Sequence, residues 1–155
     1  MKKIIFLAII LLLVVAAIPL SQNYLKNNKL PFAKTATAKI NNQVFHLYSA
    51  DVAKEKEVGL SDKSSMPQDY GMFFPFEAPD YYSFWMRDMK FPIDMIFFQD
   101  NRIVTIYSNI QPPKSKDESL AIYKPEEPAN AVLEINAGLA QKYGFKKGDE
   151  VKIEK

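Results

Sequence analysis

Hydrophobic positions follow two different patterns along the chain. Near the N-terminus Ile4 to Leu20 form 17 consecutive residues without a charge, preceded by the basic Met1–Lys3. At 1.5 Å per residue a helix of this run would span about 25 Å, close to the lower limit for crossing a bilayer. The pattern predicts either a retained signal-anchor or a signal peptide that is removed after Ala16 or Ala17. Because the apolar run continues beyond Ala17, retention is favoured.

Residues 21–36 are polar and lack a sustained period, so they are predicted to be a linker between segment 1–20 and a single domain, 37–155. In that domain apolar residues alternate over short stretches, which is typical of strands. Asn41-Asn42 and Asp100-Asn101 fit tight hairpin turns. The predicted strands lie in Thr37–Tyr48, Gly71–Phe76, Tyr82–Met86, Ile93–Phe98, Arg102–Tyr107, Leu120–Tyr123, Ala131–Ile135 and Val151–Ile153.

Two short helices are predicted, and each ends at a glycine. Val52 to Val58 follows a capping Asp51, and Ala137 to Tyr143 follows a capping Asn136. With about eight strands and no alternation of strands with long helices, the chain is predicted to be mainly β. The expected fold is a single small β-barrel or jelly-roll-like sandwich, preceded by an N-terminal membrane helix.

The amino-acid composition limits the kinds of functional site that the chain can contain. The chain has no cysteine, which excludes disulfides, thiolate catalysis and iron–sulfur clusters, and it has one histidine, His46. His46 is predicted to be an exposed or hydrogen-bonded strand residue. With 20 basic and 18 acidic residues the net charge is +2, and no basic patch indicates binding to nucleic acid. No cofactor or metal is predicted.

The segment Gly71–Phe98 contains ten of the 20 aromatic residues, including Trp85, the single tryptophan. The favoured interpretation is a hydrophobic core, because aromatic side chains dominate small β cores. The alternative is an aromatic platform for sugar rings or peptide side chains. Strand alternation would place Phe84 and Met86 on one face and Trp85 on the other.

Asp94 lies inside an apolar strand, where a carboxylate is costly unless it is paired or hydrogen-bonded. It is expected to pair with Arg87 or to cap a backbone turn after Pro92. The alternative is a functional carboxylate that works with a second acidic residue, as in glycoside hydrolysis. The candidate functional cluster is therefore Trp85, Arg87, Asp88 and Asp94, and no catalytic residue is assigned.

A set of motifs in a fixed order covers roughly Ala38 to Ile153. They are Glu57-Val58-Gly59-Leu60, Tyr70–Phe76, Phe84-Trp85-Met86-Arg87, Phe91–Phe97, Arg102–Val104, Val132–Gly138 and Lys147–Val151. In this order they resemble the bacterial and archaeal family catalogued as domain of unknown function 192. The resemblance implies a compact β-barrel or jelly-roll-like sandwich, often behind an export signal, and no established activity, cofactor or catalytic residue. Asp88 and Met89 stand where that family usually has Asn and Thr.

These observations predict a non-enzymatic binding or structural domain, tethered to the membrane through Ile4–Leu20 and lying outside the cytoplasm, or exported if that segment is cleaved. Its partner is expected to be an envelope protein or polysaccharide, bound through the proline-rich loop Gln111–Asn130 or an exposed part of the aromatic segment. The alternative is a hydrolase or carbohydrate-active enzyme that uses Asp94 and a second carboxylate.

Overall fold

The computed structural model describes residues 36–115 and 117–154. The predicted segment 1–20 and all of the predicted linker except Ala36 lie outside the described residues. Within the described ranges, no helix is long and apolar enough to cross a membrane.

The described residues form one seven-stranded sheet and two short helices. The strands are β1 (Thr37–Ile40), β2 (Gln43–Ser49), β3 (Tyr70–Asp80), β4 (Ile93–Gln99), β5 (Arg102–Ile110), β6 (Ala129–Asn136) and β7 (Val151–Glu154), and the helices are α1 (Ala53–Val58) and α2 (Leu139–Lys142). The strand order is β5-β4-β6-β3-β2-β1-β7. Neighbours are antiparallel except for β2 and β3, which are parallel and are joined through α1.

The sheet is curled into a half-barrel, and hydrogen bonds join its two outer strands at one end. Ile103 at the start of β5 donates to the Asp149 carbonyl at 3.0 Å and accepts from the Gly148 amide at 2.8 Å. A further bridge pairs Arg102 with Glu150, just before β7. The prediction of a mainly β fold with two short helices is confirmed, with seven strands in one curled sheet.

Each face of the sheet carries its own apolar layer. Alternation along β6 places Leu133 and Ile135 in the inner core and Val132 and Glu134 on the outer face. The inner core also contains Ala38, Ile40, Phe45, Leu47, Phe73, Ile96, Phe98, Ile103, Leu139, Ala140, Phe145 and Val151. The outer face carries Met72, Phe74, Met95 and Phe97, all of them buried.

Residues 81–91, which we call the cover segment, lie over this outer face. The segments Tyr82–Met86 and Leu120–Tyr123, both predicted as strands, make one isolated bridge between Phe84 and Tyr123. The prediction of two further strands was therefore wrong. The physical reason is that Phe84 packs its ring edge-on against Phe74 and Phe97, so this part of the chain covers the sheet instead of extending it.

Both predicted hairpin turns are present. Asn41 has φ 52° and Asp100 has φ 55°, a left-handed conformation that Asn and Asp tolerate better than most residues. The helix caps differ from the prediction. Helix α1 begins after Val52, where the Glu55 carboxylate accepts from the amides of Asp51 and Val52 at 2.8 and 3.2 Å.

Candidate functional site

A pocket of about 260 Å³ opens between α1, β3 and the cover segment. We call it the aromatic pocket, because rings form much of its wall. Its lining includes Lys56, Phe76, Tyr82, Phe84, Trp85, Arg87 and Glu134. The cover segment and the end of α1 line this space together with Phe74 and Phe76 of β3.

Glu134 lies at the base of the aromatic pocket. It is only 5% exposed, and the strand register places Met72 of β3 and Met95 of β4 on either side of it. Within the described residues its carboxyl oxygens have no hydrogen-bond or ion-pair partner, and the side chain borders the pocket. Burial raises the pKa of Glu134 from 4.5 to about 8, so the carboxyl is neutral at pH 7.

The aromatic wall is built from rings that brace one another. The rings of Phe76 and Tyr82 stack with centroids 3.6 Å apart, and the Tyr82 hydroxyl donates to the Ala78 carbonyl. The Phe84 ring meets Phe74 edge-on, with centroids 5.2 Å apart. The edge-on arrangement of Phe84 and Phe74 is a favoured one, whereas Phe76 and Tyr82 lie nearly face to face. The wall is therefore held in shape by the protein before any ligand arrives.

Two cations lie over aromatic rings of the pocket. The Lys56 ammonium is 4.5 Å from the centroid of Phe76, and the Arg87 guanidinium carbon is 5.0 Å from that of Trp85. Trp85 is 40% exposed. Cation–π contacts of this kind hold positive charge near an apolar surface. The pocket thus combines an apolar wall, two cations and the carboxyl groups of Glu57 and Glu134.

A turn positions Trp85 and Arg87. The Met89 amide donates to the Met86 carbonyl at 3.2 Å, and Asp88 between them has φ 58°. Asp and Asn are the non-glycine residues that adopt this conformation most easily. Asp88 itself is exposed and does not line the pocket. Asp88 therefore shapes the turn that carries Arg87.

Asp94 has a different environment from the one predicted. It is fully buried and accepts hydrogen bonds from the backbone amides of Asn109, Gly138 and Ala140 at 2.7, 2.9 and 2.7 Å. Two of these amides belong to the start of α2, so Asp94 caps that helix from a distant strand. The predicted pairing with Arg87 was therefore wrong, and the amides that Asp94 caps belong to Asn109 and to the start of α2, not to a turn after Pro92.

Asn136, the predicted cap of α2, donates instead to the carbonyls of Met66 and Pro67, both at 3.0 Å. Because Asp94 occupies the amides of the helix start, Asn136 is not needed there. Both oxygens of Asp94 are used, and none of its surface is exposed. The hypothesis that Asp94 acts with a second carboxylate in an open cleft therefore loses its basis.

Comparison with known proteins places the fold in a family. A family model, DUF192, described as "Uncharacterized ACR", matches residues 35–153. The chain belongs to the domain of unknown function 192 family. A solved structure of a protein of unknown function from Novosphingobium aromaticivorans is 33% identical, with a TM-score of 0.66, over 79% of this chain and 89% of that one.

A second solved structure in this comparison comes from Sinorhizobium meliloti and is described as a "putative transcription regulator". It is 29% identical, with a TM-score of 0.67, over 76% of this chain and 90% of that one. Among curated proteins, none matches the chain. Among the residues that the structure describes, no group of three His, Asp or Glu side chains is placed so that it could bind a metal ion.

The structure does not bring the four residues of the predicted cluster together in one site. Trp85 and Arg87 line the aromatic pocket, Asp88 shapes the adjoining turn, and Asp94 lies beneath α2. The aromatic segment is also divided: Phe73, Phe74, Phe97 and Phe98 are buried, Phe84 is half-buried and Trp85 is exposed.

Sequence reasoning missed Glu134. A single carboxylate between Leu133 and Ile135 is the same signal that singled out Asp94 in its own apolar strand. Applied to both strands, that signal would have found both buried carboxylates. It would not have separated the helix cap from the pocket residue.

Proposed function

We propose that this chain is a binding domain whose aromatic pocket holds a small ring-bearing molecule, with no catalytic step. Glu134 is the observation that supports this proposal most directly. A buried polar group without a hydrogen-bond partner costs about 1–3 kcal/mol. The Glu134 carboxyl group comes close to this case, because its side chain is only 5% exposed and has no partner among the described residues, although its oxygens are not fully enclosed and border a preformed pocket. A ligand that supplies the missing hydrogen bond would offset the cost.

Binding is favoured over hydrolysis because of the state of the carboxyl groups. Hydrolysis of a glycosidic bond by two carboxyl groups needs them about 5–10 Å apart across the substrate, one of them usually ionised. Asp94 is enclosed by three amides, and Glu57, the other carboxyl group that lines the pocket with Glu134, is exposed on α1. The rings of Phe76, Tyr82 and Phe84 form part of the wall and suit the flat face of a ring.

The proposal also includes the location of the binding domain in the cell. The apolar run Ile4–Leu20 behind a basic start would tether the domain to the membrane, on the side away from the cytoplasm. The ligand would then be a component of the cell envelope, carried by a polysaccharide or a protein. Fusion of alkaline phosphatase to the C-terminus tests this arrangement, because the enzyme folds actively only outside the cytoplasm. An inactive fusion with a normal amount of protein would contradict it.

The binding proposal is tested with the full chain in lipid nanodiscs, titrated with a collection of monosaccharides, uronic acids and aryl acids. The readout is the fluorescence of Trp85, the single tryptophan, which lines the pocket. We expect saturable changes that Tyr82→Ala weakens by about tenfold, since that ring forms the wall. Tyr81→Ala is the matched control, because Tyr81 is adjacent, 50% exposed and absent from the lining.

Two results would refute the binding proposal. One is a collection in which no compound changes the fluorescence or the melting temperature of the full chain. The other is binding that Tyr82→Ala and Glu134→Ala leave unchanged. Release of a cleaved product from any glycoside in the collection would favour the hydrolase instead.

A further inference from the structure

We infer that the ligand of the aromatic pocket is a six-membered ring bearing an anionic group, which binds near Lys56 and Arg87, while a carbonyl or hydroxyl oxygen at its other end accepts a hydrogen bond from Glu134. This inference rests on the proposed binding function and specifies its chemistry. Acidic sugars and substituted aryl carboxylates share these features.

The size of the pocket sets the size of the ligand. A cavity of about 150 Å³ is enough to enclose benzene. The aromatic pocket has about 260 Å³, so it accommodates one six-membered ring with two short substituents. The stacked pair of Phe76 and Tyr82 gives the ring a flat apolar surface to lie against.

The base of the pocket supplies a hydrogen-bond donor. Desolvation is the cause that raises the pKa of Glu134 to about 8, so the neutral carboxyl carries an O–H group at pH 7. β3 and β4 place Met72 and Met95 beside it, and neither side chain titrates. The titratable or charged groups that line the pocket with Glu134 are Lys56 and Glu57 from α1, and Tyr82 and Arg87 from the cover segment.

The charges of the pocket favour an anion. Lys56 and Arg87 contribute two positive charges, Glu57 contributes one negative charge, and Glu134 is neutral at pH 7. The sum of the lining charges is therefore positive. Both cations are already held over rings of the wall, so little side-chain freedom is lost when an anion binds to them.

Ionisation of Glu134 would weaken binding in two ways. It removes the O–H donor at the base, and it adds a negative charge that repels the anionic ligand. Binding of the ligand therefore favours the protonated form of Glu134. Affinity should be full below the pKa of about 8 and should fall as the pH rises through it.

The test compares four probes on the full chain in nanodiscs at about pH 6.5 and about pH 9. Two are anionic, methyl glucuronide and 4-acetylbenzoate, and two are their neutral counterparts, methyl glucoside and 4-acetylbenzamide. None of the four changes charge between these pH values. We expect at least one anion to bind about tenfold more tightly than its neutral counterpart, and about tenfold more tightly at the lower pH. The anion that binds tells an acidic sugar from an aryl acid.

Three variants assign the effects to residues. Glu134→Gln keeps a neutral donor, so the affinity should become equal at the two pH values. Lys56→Gln should abolish the preference for the anion and leave the pH effect. Lys54→Gln is the matched control, because Lys54 is exposed on the same helix and does not line the pocket, so binding should not change.

Equal binding of the anionic and neutral probes, or a pH effect that persists in Glu134→Gln, would overturn the inference. The inference would also be overturned if none of the four probes binds while a neutral or cationic compound of the wider collection binds in the pocket. In that case the proposed binding function would stand. If no compound of the wider collection binds either, both proposals fail.

Discussion

The burial of Glu134 predicts an unusual dependence of stability on pH. In the folded chain the pKa of this carboxyl is about 8, whereas its ordinary value is 4.5. Between these values the unfolded chain has lost the proton and the folded chain has kept it. The folded state binds more protons, so the free energy of unfolding must fall as the pH rises through this window.

The magnitude follows from linkage. One group that is protonated only in the folded state changes the free energy of unfolding by roughly 1 to 2 kcal/mol for each pH unit. Between pH 5 and pH 7 the loss from Glu134 alone is therefore roughly 2 to 4 kcal/mol. Above about pH 8 the folded state also ionises, and the decline from this group ends.

The measurement is urea denaturation of the full chain and of Glu134→Gln at about pH 5, 6 and 7. Glutamine has nearly the same shape and does not titrate, so all other groups contribute equally to both proteins. We expect the stability of the variant relative to the native chain to rise by roughly 1 to 2 kcal/mol for each pH unit. Parallel stability profiles of the two proteins would refute the assignment of a buried neutral carboxyl.

Three further substitutions test the fold around the pocket. Asp94→Asn should lower the free energy of unfolding by about 2–3 kcal/mol, because the single amide oxygen of asparagine cannot accept from three backbone amides. Ligand affinity should not change, and a loss of binding without a change in melting temperature would contradict the structural role of Asp94. Gly71→Ala should lower the free energy of unfolding by about 1–3 kcal/mol in a denaturant titration, because a Cβ atom would lie 2.8 Å from the Leu133 side chain and 3.0 Å from the Glu134 carbonyl oxygen. An unchanged stability would show that β3 and β6 can separate at this point. Asp88→Val should lower the melting temperature because of the positive φ, whereas Asp88→Gly should not, and equal effects of the two would argue against the turn.

Local sequence signals gave reliable information where the chemistry is local. Asn41 and Asp100 mark turns because their own side chains tolerate a left-handed backbone, whatever surrounds them. The apolar run of β4 predicts a strand buried on both faces, and Ile93 to Phe98 are all buried. The aromatic content of Tyr82–Met86 misled the prediction, because a strand and an apolar cover over a sheet need the same side chains.

The sequence by itself determined that the chain is mainly β, that it belongs to this family, and that Asp94 needs partners inside an apolar strand. Only the tertiary structure decided which groups those partners are, because Asn109 and α2 reach Asp94 from far along the chain. It also decided that Glu134 borders the aromatic pocket and has no partner among the described residues. Two carboxylates with the same local pattern differ because burial and hydrogen bonding depend on what the rest of the chain brings to each one.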